Sequence, residues 1–132
     1  MRLRTLDDLG DVAGRRVFVR LDLNVPLADG VVTDDARIRA SMPTLTELLE
    51  RGASIVAASH LGRPHGRVDE SLRLGPVAEP LAELLGRVVE YVPTDGVLSP
   101  EVEQSCKALA FEPGRVVLLE NLRFDPGEEA ND

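Results

Sequence analysis

Four short runs of this chain share one character, and that character leaves few folds open. Residues 16–23 read RVFVRLDL, 53–59 ASIVAAS, 87–92 RVVEYV and 115–122 RVVLLENL. Each is rich in Val, Ile or Leu over strand-like lengths. The second is apolar without interruption, as a strand covered on both faces should be. Stretches of a dozen residues or more separate the runs, and they carry helix punctuation. Thr33-Asp34-Asp35 offers caps for a helix through ARIRASMPTLTELLERG, stopped by Gly52. Leu74–Leu85 reads as a second helix before Gly86, and Ser99–Leu109 as a third, with Pro100 in its first position. Pro43 implies a kink, or a start near Ser41, and Pro80 weakens the second helix. Asp29-Gly30 marks a turn in the loop after the first strand. Strands alternating with crossovers of this length predict an α/β fold: a parallel sheet with helices on both faces, three layers in all.

Composition removes several functions. The 132 residues suit a single domain. With 15 basic and 23 acidic side chains the net charge is −8, which argues against a general nucleic-acid binder. One Tyr, three Phe and no Trp give no base-stacking platform. The single Cys106 excludes an internal disulfide framework and fits an inert thiol in a cytoplasmic protein. No apolar run approaches the roughly 18 residues of a membrane span, and the charged start lacks the apolar stretch of a signal peptide. Neither nucleic acid nor a membrane is therefore expected as a partner. No His, Cys or Asp cluster has metal-ligand spacing, and neither a GxGxxG nor a GxxxxGK[ST] run occurs.

In a parallel sheet, ligands collect at the carboxyl ends of the strands. Asp22-Leu23-Asn24 follows the first strand, His60-Leu61-Gly62-Arg63 the second, and Glu120-Asn121-Leu122-Arg123 the last. Arg37 stands at the start of the long helix, where the helix dipole disfavours a cation unless an anion is near. Arg37, Arg63 and Arg123 with His60 would suit a phosphate or carboxylate. Each has a competing reading. Arg63 before Pro64 can be an exposed turn residue, His60 a structural histidine, Asp22 a turn former, and Arg37 a partner of Asp34 or Asp35. His65 reads as solvated loop.

RVFVRLDLNVPL, TDDARIRASMPTL, SHLGRP and VVLLENLRF resemble, in order and spacing, the successive motifs of phosphoglycerate kinase. The resemblance implies a three-layer Rossmann-like α/β lobe. It also implies reversible phosphoryl transfer between 1,3-bisphosphoglycerate with ADP and 3-phosphoglycerate with ATP, in glycolysis. Residues 1–132 would then be the phosphoglycerate-binding N-terminal lobe, truncated at about the first third of the enzyme. Mg-ATP or Mg-ADP would bind in a C-terminal lobe absent from this chain. Asp22 and Asn24 would orient the glycerate; His60, Arg63 and Arg123 would hold the 3-phosphate. Arg37 would be the catalytic residue, stabilising charge on the moving phosphoryl group. Gly62 would let the backbone approach the ligand. PTDGVL and AFEPG depart from the family wording between Tyr91 and Gly114. The complete enzyme is expected to be monomeric. This piece is expected to be inactive alone, to bind substrate weakly or not at all, and to self-associate or pack loosely through uncovered apolar surface. The alternative is a stand-alone anion-binding or folding fragment without catalysis.

Overall fold

In the computed structural model, residues 5–94, 100, 103, 104, 107 and 114–124 are described. The elements in chain order are β1 (Arg16–Arg20), β2 (Leu27–Ala28), β3 (Val31–Val32), α1 (Ala36–Glu50), β4 (Ser54–Ala58), α2 (Gly75–Leu85), β5 (Val89–Val92) and β6 (Val116–Leu119). Short 3-10 turns stand at Leu6–Leu9, Glu70–Leu72 and Leu122–Phe124. The expected helix Ser99–Leu109 and the acidic end lie outside the described residues, apart from isolated positions.

The sheet is parallel and four-stranded, in the order β1-β4-β6-β5. Every residue of β4 and β6 is buried, which explains why all of them but Ser54 are apolar. β1 alternates exposed and half-buried residues because it lies at one edge. Right-handed crossovers decide where the helices go. The steps β1 to β4 and β4 to β5 run the same way across the sheet, so α1 and α2 share a face. Both helices join one core with Ile55, Ala57, Val116 and Leu118. The opposite face carries a second cluster of Val56, Ala58, Val92, Val117, Leu119 and Leu122. α1 and α2 both pack on the first face.

Three local expectations change. The first strand ends at Arg20 rather than Leu23, because the chain leaves the ladder to bond with the loop after β4. The segment after it is not all loop: β2 and β3 form a small antiparallel hairpin, pairing Leu27 with Val32 and Ala28 with Val31. Its turn residues Asp29 and Gly30 have φ of 51° and 75°, the positive pair that matches hairpin twist. Pro43 neither ends α1 nor delays its start. It sits on the exposed side, while Ile38, Ser41, Leu45, Leu48 and Leu49 bury one stripe at helical spacing. Packing of that stripe outweighs the lost backbone bond. Pro80 is carried inside α2 in the same way, and Gly86 closes that helix at φ 65°.

Candidate anion-binding site

β1, β4 and β6 are adjacent and parallel, so the segments leaving them emerge at one edge. Side chains lock these three exits together. The Leu23 amide donates to Ser59 Oγ at 2.9 Å, and the Leu122 amide to the Ser59 carbonyl at 3.0 Å. Asn24 Oδ1 accepts from the Gly62 amide at 2.9 Å. Arg123 Nη1 reaches the Gly62 carbonyl at 3.4 Å. Both backbone groups of one residue of the SHLGRP loop, Gly62, are thus held, its N–H by Asn24 and its C=O by Arg123, residues 99 positions apart in sequence.

Arg37 joins this rim rather than its own helix. Its Nη1 donates to the Asn24 carbonyl at 2.5 Å and lies 3.5 Å from Asp22 Oδ1. The pairing with Asp35 belongs instead to Arg39, at 3.0 Å. Asp22 Oδ1 also accepts from the Asn24 amide at 3.2 Å, so Asp22 is a turn former as well as a neighbour of Arg37. A cleft of about 400 Å³ opens beside them, lined by Asn24, Val25, Pro26, Asp34, Ala36 and Arg37. Asp22, Asn24 and Arg37 are therefore in direct contact, and Asn24 and Arg123 meet through Gly62. His60 is half-buried and Arg63 exposed on the same loop. His65 is exposed at φ 59°, which fits solvated loop. A larger hollow of about 610 Å³ runs along α2 to the amino end of β5. It gathers Arg87 with Glu79 and Glu83, so opposite charges offset each other there.

Gly62 has φ 61°, and a Cβ there would stand 2.7 Å from Leu72 Cδ2. The glycine is thus required by its own turn and by the loop packed over it, before any ligand arrives. Gly62→Ala is expected to lower the free energy of unfolding by about 1–2 kcal/mol, read from urea denaturation.

The polar braces behind the rim have no counterpart among the sequence candidates. Glu120 is fully buried at the end of β6. It accepts from Arg73 Nη1 at 2.9 Å, the Leu74 amide at 3.0 Å, the Asn121 amide at 3.0 Å and the Tyr91 hydroxyl. Arg73 also binds the Thr94 carbonyl at 2.9 Å, pairs with Glu70 and lies over the Phe124 ring. The only sequence signal was two polar residues directly after an apolar strand. A buried carboxylate is tolerated because it is fully partnered.

Burial, and then the bond to Glu120, push the Tyr91 hydroxyl above its ordinary value of 10.0. Its protonated form is therefore favoured by folding. That contribution is complete below about pH 10 and is lost as pH rises beyond it. The chain has one tyrosine, so phenolate absorbance reads Tyr91 alone. The folded chain is expected to show no phenolate at pH 10, and stability is expected to fall above that pH. Tyr91→Phe should flatten the fall.

Known proteins match this arrangement. The family model described as phosphoglycerate kinase matches residues 6–132. The phosphoglycerate kinase of Leifsonia xyli subsp. xyli (strain CTCB07) is 53% identical over 132 residues, covering 100% of this chain and 32% of that protein. That of Moorella thermoacetica is 55% identical over 128 residues, covering 97% and 31%. The crystal structure of phosphoglycerate kinase from Pyrococcus horikoshii OT3 superposes with a TM-score of 0.83 at 35% identity, over 96% of this chain and 29% of that one. The chain thus spans about a third of the length of the curated relatives it matches. A family model matched along almost the entire chain, and a sheet that superposes on a solved member, show that this chain belongs to the phosphoglycerate kinase family.

Proposed function

We propose that this chain is the phosphoglycerate-binding lobe of a phosphoglycerate kinase. The reaction is reversible phosphoryl transfer between 1,3-bisphosphoglycerate with ADP and 3-phosphoglycerate with ATP. The observation that carries this reading is the clasp on Gly62, whose N–H is held by Asn24 and whose C=O by Arg123, from different strand ends. It ties the loop that bears Arg63 to the exits that bear Asn24 and Arg123, and Arg37 bonds the Asn24 carbonyl beside it.

Phosphoryl transfer asks little covalent chemistry of a protein and much positioning and charge compensation. His60, Arg63 and Arg123 hold the 3-phosphate at the exits of β4 and β6. Asp22 and Asn24 orient the glycerate at the exit of β1. Arg37 already stands against the Asn24 carbonyl. It serves as the catalytic residue, compensating charge on the acyl-phosphate end. Mg-ATP or Mg-ADP supplies or accepts the phosphoryl group. The family resemblance implies a second lobe for the nucleotide, and this chain spans only about a third of the length of its relatives. The 132 residues alone are then a substrate-binding half without turnover, at work in the cytoplasm.

Calorimetric titration with 3-phosphoglycerate tests the reading. Weak saturable binding, with a Kd on the order of 1 mM, is expected. An absence of heat at tens of millimolar ligand, on the order of tenfold beyond that Kd, would leave only a folding scaffold.

A further inference from the structure

Asn121 is fully buried immediately after β6, and its side-chain amide is saturated. Nδ2 donates to the Leu61 carbonyl at 2.8 Å and the Leu72 carbonyl at 2.9 Å. Oδ1 accepts from the Leu61 amide at 3.2 Å and the Arg123 amide at 3.0 Å. A primary amide has two donor hydrogens and two acceptor lone pairs, and all four are used. Leu61 is therefore gripped at both its N–H and its C=O by one side chain, as a neighbouring strand would grip it. The same oxygen fixes the backbone of Arg123. Gly62, whose N–H Asn24 holds and whose C=O Arg123 holds, comes next after Leu61.

We propose that Asn121 is a positioning residue for the anion site. It sets the spacing between the SHLGRP loop and Arg123, so that the cations from β4 and β6 converge at the separation one phosphate needs. The proposal rests on the phosphoglycerate reading above. No other side-chain type of this size supplies the pattern. Aspartate lacks the two donors and would bring a second carboxylate beside Glu120. Leucine fills the volume and supplies no bond. Small errors in placement matter greatly to a site made of converging charges.

The test uses the 132-residue chain as wild type, Asn121→Ala, Asn121→Ser and Leu81→Ala. Leu81 is buried in the main core on α2, so Leu81→Ala lowers stability without removing any rim bond. Affinity for 3-phosphoglycerate and hydrogen exchange at the Leu61 and Arg123 amides are read by NMR on the same folded samples. Asn121→Ala is expected to weaken binding by about tenfold, the loss from a site no longer held in place. The Leu61 and Arg123 amides should exchange faster than those of β6. Asn121→Ser should fall between it and wild type, and it carries the comparison alone should Asn121→Ala not fold. Leu81→Ala should keep wild-type affinity. A folded Asn121 variant that binds as tightly as wild type overturns the positioning role, and so does Leu81→Ala losing equal affinity. A wild type that binds nothing removes the phosphoglycerate reading first, and the positioning role falls with it.

Discussion

Glu120→Ala is expected to lower the free energy of unfolding by about 3–5 kcal/mol, the scale for removing one partner of a buried ion pair. The substitution strips Arg73 Nη1, the Leu74 amide, the Asn121 amide and the Tyr91 hydroxyl of one shared acceptor. Arg73 keeps Glu70, which is exposed, the Thr94 carbonyl and its place over the Phe124 ring. A domain of this size is stable by only about 5–15 kcal/mol. Glu120→Ala should therefore approach the unfolding threshold at room temperature. Glu120→Gln keeps the shape and part of the acceptor capacity, and about 1.5–3 kcal/mol is expected from loss of the charge. Urea denaturation followed by circular dichroism checks both. A cost below about 1 kcal/mol for Glu120→Ala would mean that the network is replaceable by water.

Arg123→Ala is expected to weaken 3-phosphoglycerate binding by about 10- to 100-fold, the scale of one or two charge-assisted hydrogen bonds to a phosphate. It removes a cation from the rim and also the contact to the Gly62 carbonyl. Its effect on stability should be small, since Arg123 is half-buried and belongs to neither apolar core cluster. Arg37→Ala should cost less in binding of 3-phosphoglycerate. On the proposed reading Arg37 serves the end of the ligand that carries the transferable phosphoryl group only in 1,3-bisphosphoglycerate. Calorimetric titration of the two variants side by side checks the order. Equal affinities for wild type and Arg123→Ala would remove Arg123 from the site.

The sheet was legible because its strands are buried or half-buried in simple patterns. Val116–Leu119 and Ile55–Ala58 are apolar throughout since neighbours cover both faces. The hairpin at Leu27–Val32 escaped because two-residue strands are too short to show an alternation, although its Asp29-Gly30 turn was visible. Pro43 and Pro80 misled because local backbone chemistry was weighed without the tertiary packing that carries both helices through them. Arg63 and Arg123 could be named from their places after strands, and Arg37 from its place at the start of α1. Their partners could not. Arg37 leaves Asp35 to Arg39 and turns to Asn24, 13 residues back. Beyond their immediate neighbours, Glu120 and Asn121 collect partners 29 to 60 residues away. Such contacts follow from strand order, and strand order is not written in any local pattern.

The central claim is that one rim, formed by the exits of β1, β4 and β6, receives the phosphoglycerate. Amide chemical shifts of the isotopically labelled chain, recorded during titration with 3-phosphoglycerate, test it most directly. The account predicts saturable shifts at Asn24, Gly62, Arg63 and Arg123, with little change along the outer face of α2 at Ala78, Ala82 and Gly86. Shifts centred on that α2 hollow, with the Gly62 and Arg123 amides unmoved, would contradict it.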